Sequence, residues 1–202
     1  MYAGVGKSDW EINLGLDSNI LCFNVESVAE LEVINELAEA KGKTASVAFR
    51  VNPNVGAHTH ANITTGLAEN KFGIALEDLL PTIEKASAMK NVSFIGLHFH
   101  IGSQILDMGD FEALCAKINE IQDSLDAKGI VVENINVGGG LGISYDDPNG
   151  EPIPNFKAYF SQCLWRTHRS TRRWVPPRRK FRRVRYCSGS LSCDKPDRGQ
   201  GV

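Results

Sequence analysis

The segment Val92-Ser93-Phe94-Ile95-Gly96-Leu97-His98-Phe99-His100 sets the fold class. It is short, mostly apolar, and closes on the turn-forming Ile101-Gly102-Ser103-Gln104. A short apolar run bounded by turn residues reads as a strand buried on both faces. Such strands belong to parallel sheets covered by helices. Working outward, Asn19-Ile20-Leu21-Cys22-Phe23-Asn24-Val25 and Ala45-Ser46-Val47-Ala48-Phe49-Arg50-Val51 read as two earlier strands. Val131-Val132 and Ile135-Asn136-Val137 begin another before a glycine cluster. Helical patterns fill the intervals. Ser27-Val28-Ala29-Glu30 is a capping box opening an apolar stripe at Val28, Leu31, Ile34 and Leu37, with Gly42 just beyond. Leu76 to Met89 reads as a helix with Pro81 near its first turn, where a missing N–H costs least. Phe111, Leu114, Ile118, Ile121 and Leu125 lie on one helical face, and that helix ends at Gly129. Tyr2-Ala3-Gly4-Val5 and Asp9 to Leu16 add one further strand and a short helix.

The expectation is an α/β chain of about five strand–helix units. The strand period of about 40 residues suits part of a (β/α)₈ barrel, which takes about 250 residues when whole. An open doubly wound sheet of about five strands fits the same count nearly as well.

Composition narrows the class of protein. The chain has 202 residues, 42% apolar and 23% charged, which is ordinary globular usage and excludes a disordered chain, a collagen-like repeat or a small disulfide scaffold. No apolar run approaches the roughly 18 residues of a membrane span. Met1 to Trp10 lacks the basic and apolar regions of a signal peptide. The expected compartment is the cytoplasm, with the five cysteines reduced and spaced for neither a C-x-x-C pair nor a zinc site. Charge is unevenly distributed. Residues 1–160 hold 10 Lys and Arg against 22 Asp and Glu, whereas residues 161–202 hold 12 against 2. Ten of the eleven arginines lie in that last segment, where helical and strand periodicity both stop. The division expected is a folded body over 1–160 and a basic tail over 161–202. For the tail, a functional basic arm, a disordered extension and an out-of-frame translation compete, and the abrupt switch in arginine usage favours the last.

In α/β folds, ligands bind beyond the C-terminal ends of the strands. His98 and His100, two apart on a strand, face the same side. His100, at the strand end, can stack on a flat ligand, move a proton or bind a metal; a satisfied core histidine is the competing reading. His58 and His60 lack a carboxylate or Cys spaced to complete a metal site, so no metal is expected. Asn136-Val137-Gly138-Gly139-Gly140-Leu141-Gly142 is neither a P-loop nor G-x-G-x-x-G. Glycines at a strand end nevertheless let backbone N–H groups approach an anion, typically a phosphate. Arg50, the only arginine of the acidic body, stands at a strand end as a partner for an anionic group. Thr64 to Ile74, with Lys71-Phe72-Gly73 embedded, reads as a site loop or as a solvated connection.

Taken together and in order, these segments resemble the fold-type III pyridoxal-phosphate decarboxylases, most closely the diaminopimelate branch. Tyr2-Ala3-Gly4-Val5-Gly6-Lys7, Phe23-Asn24-Val25-Glu26-Ser27, Phe49-Arg50-Val51-Asn52-Pro53, Thr65-Gly66 with Asn70-Lys71-Phe72-Gly73-Ile74, Gly96 to Gln104, and Asn136 to Gly142 carry the resemblance over residues 1 to about 160. It implies a partial barrel of the alanine racemase and decarboxylase type, pyridoxal 5'-phosphate as cofactor, and decarboxylation of meso-diaminopimelate to L-lysine. It implies that His100 stacks on the pyridine ring and that Gly138, Gly139 and Gly140 cradle the phosphate. Ser103 would lie near the cofactor and Arg50 near its phenolic oxygen. It also implies a small amino-acid substrate and, for the family, a homodimer.

The family's Schiff-base lysine falls before the segment matching Met1; Lys7 corresponds to a later, non-catalytic lysine. The Glu-Pro-Gly-Arg-type segment expected after residue 160 is not found there, nor is the C-terminal β-domain. The chain alone is therefore expected to be inactive. Ornithine, arginine or carboxynorspermidine decarboxylation is the alternative within the family. Outside it, the alternative is a binding module whose tail, with Trp165, Trp174, Phe181 and Tyr186 among arginines, contacts nucleic acid. The absence of a folded platform for those aromatics counts against it.

Overall fold

The structure, a computed structural model, describes residues 1–55, 72–143 and 156–160. Residues 56–71, which include His58 and His60, residues 144–155 and the basic segment 161–202 lie outside the described residues. Four parallel strands, β1 (Phe23–Val25), β2 (Ala45–Arg50), β3 (Val92–His98) and β4 (Asn134–Asn136), form one sheet in the order β1-β2-β3-β4. The helices are α1 (Asp9–Asp17), α2 (Val28–Ala40), α3 (Leu76–Ala88) and α4 (Met108–Asp126). An order that grows in one direction is that of a barrel segment; a doubly wound sheet reverses its order at a switch point. The Tyr2–Val5 strand is reduced to a single bridge, Tyr2 to Phe23, held by Tyr2 N–H to the Cys22 carbonyl (3.0 Å) and Asn24 N–H to the Tyr2 carbonyl (2.8 Å). Among the described residues there are thus four strands and three isolated bridges, the first of them at Tyr2.

Local chemistry explains where the helices begin. At α1, Glu11 accepts from both the Ser8 N–H (2.9 Å) and the Ser8 hydroxyl (2.7 Å). At α2, Ser27 Oγ accepts from Glu30 N–H (3.2 Å), as the capping box requires. The Glu30 carboxylate does not return to Ser27; it accepts from Glu26 N–H (3.1 Å) and pairs with Lys7. Pro81 is the sixth residue of α3, in the second turn rather than the first. It is exposed, as is Glu77, whose carbonyl would have accepted the missing N–H and is free to meet water instead.

The two faces of the sheet are chemically different, which corrects the expectation that both are apolar. Phe23, Val25, Val47, Phe49, Leu97, Phe99, Ile135 and Val137 all belong to the core packed under the helices. The alternate positions are Asn24, Glu26, Ala48, Arg50, His98 and Asn136, paired through Asn24 with Ala48, Arg50 with His98 and His98 with Asn136. None of these six belongs to the apolar cluster.

A bulge makes the match between β2 and β3. Val47 pairs with Phe94, but Ala48 pairs with Gly96, so Ile95 is the extra residue. In an unbroken register His98 would fall opposite Val51 and share the helix-facing side. The bulge instead turns Leu97 into the core and brings His98 alongside Arg50. The freed Ile95 carbonyl accepts from Glu133 N–H (3.1 Å) and Asn134 Nδ2 (3.2 Å).

Candidate functional site

The polar side of the sheet gathers charge at the C-terminal strand ends. Lys7 Nζ is almost fully buried and donates to the Gly4 and Asn24 carbonyls (2.8 Å each) and to Glu30. Glu26, with a side chain 5% exposed, receives Arg50 Nη1 at 2.8 and 3.0 Å. Arg50 also lies 5.7 Å from the ring centre of Phe72. Lys7, Glu26, Ser27, Glu30, Phe72 and Gly73 are among the residues lining a cleft of about 320 Å³ beside this row.

His98 is buried, and its Nδ1 has no hydrogen-bond partner among the described residues. Burial, reinforced by the Arg50 charge and then by His100 and Lys7, pushes its pKa down to about 3. Burial and Arg50 also lower His100, against a smaller opposing effect of Glu26. Both imidazoles are therefore held toward the neutral form.

The loops after β3 and β4 are joined into one body. Phe99 N–H donates to the Asn136 carbonyl (2.8 Å), and Gly138 N–H to Asn136 Oδ1 (2.9 Å). Ile105 N–H donates to the Gly140 carbonyl (2.8 Å) and Gly142 N–H to the Ile105 carbonyl (2.9 Å). The Tyr159 hydroxyl reaches the Gly138 carbonyl (3.3 Å), and its ring meets Phe111 edge-on at 4.8 Å.

Two glycines are sterically required in this body. A Cβ on Gly138 (φ +77°) would stand 2.3 Å from the Phe99 carbonyl oxygen and 3.3 Å from His100 Nδ1. One on Gly140 (φ +99°) would stand 2.0 Å from the Gly102 carbonyl oxygen. Gly139 between them faces open space. The N–H groups of Gly139 and Gly140 have no partner among the described residues. Two backbone amides without a partner among the described residues thus lie on one tightly backed turn. The flat, partly exposed His100 stands beside it. These residues fit a phosphate-bearing aromatic group.

The structure thus brings His100, Gly138, Gly139 and Gly140 together. Arg50 stands on the neighbouring strand end, already paired with Glu26. Ser103 is exposed in the β3 loop and makes no hydrogen bond among the described residues. Sequence reasoning missed Glu26 as the partner of Arg50, and it missed the contributions of Gln104 and Tyr159 to the loops. The period-two pattern in Phe23-Asn24-Val25-Glu26 and Leu97-His98-Phe99-His100 was the available signal for the polar face. Among the described residues no cluster of three His, Cys, Asp or Glu could hold a metal ion, and no helix is long and apolar enough to cross a membrane.

Comparison with known proteins gives a consistent picture. The family model described as "Pyridoxal-dependent decarboxylase, pyridoxal binding domain" matches residues 1–175. The chain is 70% identical over 161 residues to the diaminopimelate decarboxylase of Bacteroides thetaiotaomicron, covering 80% of this chain and 42% of that protein. It is 44% identical to that of Aquifex aeolicus, covering 76% and 37%. Among solved structures, diaminopimelate decarboxylase of M. jannaschii superposes with a TM-score of 0.74 at 40% identity, covering 84% of this chain and 39% of that one. The Helicobacter pylori enzyme complexed with L-lysine gives 0.73 at 39%, covering 82% and 41%. The chain spans about two fifths of the length of these relatives.

Proposed function

The chain belongs to the pyridoxal-dependent decarboxylase family, and from that premise we propose that its strand-end face is the cofactor-holding part of a diaminopimelate decarboxylase. The glycine cradle carries this reading: Gly138 and Gly140 are pressed against carbonyls where no side chain fits, and two N–H groups stay open beside His100. Gly138, Gly139 and Gly140 take the phosphate of pyridoxal 5'-phosphate, the last two through their open amides. When bound, the pyridoxal group supplies an electron sink for the pair left on an amino-acid α-carbon as CO₂ departs.

The chain's own residues bind and orient. His100 would offer a flat ring to the pyridine face, and burial holds its imidazole toward the neutral form. Arg50 serves the phenolic-oxygen side, its guanidinium held in one place by Glu26. Ser103 offers its exposed hydroxyl near the cofactor. The reaction to which this part would contribute is decarboxylation of diaminopimelate to L-lysine; the relatives are named diaminopimelate decarboxylase, and one is complexed with L-lysine.

Lys7 is not a free amine in this reading. Its three contacts and near-complete burial assign it to bracing β1 and α2. The body 1–160 is therefore expected to hold cofactor without turning substrate over. The test is to incubate the purified chain with pyridoxal 5'-phosphate and meso-diaminopimelate, following cofactor absorbance and released CO₂. Saturable cofactor binding without CO₂ is expected. Released CO₂ would overturn the inactive assignment; no cofactor binding, with inorganic phosphate equally without effect, would overturn the cradle.

A further inference from the structure

We propose that Gln104 is a positioning residue: its carboxamide locks the loop after β3 to the loop after β4 and so holds the Gly139 and Gly140 N–H groups in phosphate-binding geometry. The proposal rests on the reading of those glycines given above. Gln104 Nε2 donates to the Ile143 carbonyl at 3.0 Å, and Gln104 Oε1 accepts from Ile143 N–H at 2.9 Å. One side chain thus reproduces both halves of a backbone strand pair. It extends a short ladder in which Ile105 bridges Leu141 and bonds both the Gly140 carbonyl and the Gly142 N–H. The segment from Gly140 to Ile143 is therefore tied to residues 104 and 105.

The backbone at Gln104 points the same way. Its φ is +59°, a left-handed conformation that glycine would adopt without strain. The chain places a long amide side chain there instead, and the paired bonds to Ile143 are what that side chain achieves. Those bonds are exposed to solvent, so they add little to global stability. Their consequence is local: backbone amides bind an anion well only when fixed beforehand, because ordering a loose loop subtracts from affinity. A carboxylate at 104 would lose the donor to the Ile143 carbonyl and bring negative charge toward the anion.

The experiment uses the full chain and the variants Gln104→Gly and Gln104→Glu. Affinity is measured for pyridoxal 5'-phosphate and for pyridoxal, which lacks the phosphate, and amide hydrogen exchange is followed at Ile143. Gln104→Gly relieves the backbone, so its thermal midpoint should match the parent chain. Its affinity for pyridoxal 5'-phosphate should fall about tenfold, with that for pyridoxal unchanged, and Ile143 exchange should accelerate by a similar factor. Gln104→Glu should lose more affinity for the phosphate ester. Equal losses for both ligands, or unaltered Ile143 exchange, would overturn the clamp. A parent preference for the phosphate ester that Gln104→Gly leaves intact would overturn only the role of Gln104. A parent chain with no such preference would overturn the reading of the glycines, and the proposal with it.

Discussion

On the helix-facing side of the sheet, Phe23, Val47, Phe49, Leu97, Phe99 and Ile135 are buried against one another and against the helices. On the other side of the same strands, Glu26, Arg50, His98 and Asn136 stand in a row one residue away. The first side is stabilised by apolar area removed from water, and any well-shaped hydrophobic residue contributes. The second removes charged and polar groups from water and must compensate each one, with Glu26 against Arg50 and Lys7 against Glu30. Compensation is incomplete at His98, whose Nδ1 has no partner among the described residues. The stability of this chain resides on one face, and the chemistry proposed for it on the face that stability has to carry.

Four experiments break or sharpen that contrast. The largest effect is expected on the apolar side. Phe49 is fully buried and stacked on Phe94 at 5.2 Å, so Phe49→Ala should cost about 3–5 kcal/mol by denaturant unfolding. Across the sheet, Arg50→Met would leave the Glu26 carboxylate buried without its partner. That should cost about 3 kcal/mol, and Glu26→Gln in the same chain should restore much of it. Next, Gly140→Ala forces a Cβ onto the Gly102 carbonyl at a positive φ and should cost about 2 kcal/mol, whereas Gly139→Ala, facing open space, should leave the unfolding midpoint unchanged.

The last effect is in pH dependence. His98 is neutral in the fold, with its pKa pushed down to about 3 from an unfolded value near 6.5. The unfolded chain therefore takes up the proton first, and stability should fall as pH drops through the window from 6.5 toward 3. The slope from this one group is at most about 1.4 kcal/mol per pH unit. His98→Asn should flatten the profile between pH 6.5 and 5, above the range where carboxylates contribute; an unchanged slope there would show that His98 is not held neutral.

Much of the apolar face was legible because burial leaves a repeating mark in the sequence. The stripe from Phe111 to Leu125 became α4, and Ser27 caps α2 as its spacing suggests. The glycine run was readable as a tight strand-end turn because few other residues tolerate such close backbone contact. The polar face was harder. Its signal is confined to the last few residues of each strand, and apolar neighbours at Phe94 and Ile95 mask it in β3. The bulge that turns His98 toward Arg50 depends on the register between two strands about 48 residues apart, which no local pattern records. The same holds for Gln104 with Ile143 and Tyr159 with Gly138, whose pairing exists only after the loops have met. Pro81 was placed a turn too early because its solvent exposure, which makes it tolerable in the second turn, is a tertiary property.

The most direct measurement is a titration of the isotope-labelled chain with inorganic phosphate, followed by amide nuclear magnetic resonance. The expected result is that the Gly139 and Gly140 amides shift most, with saturation, and that Gly140→Ala abolishes the response. Shifts centred elsewhere, or a saturable response that survives Gly140→Ala, would contradict the assignment of these glycines as the phosphate cradle.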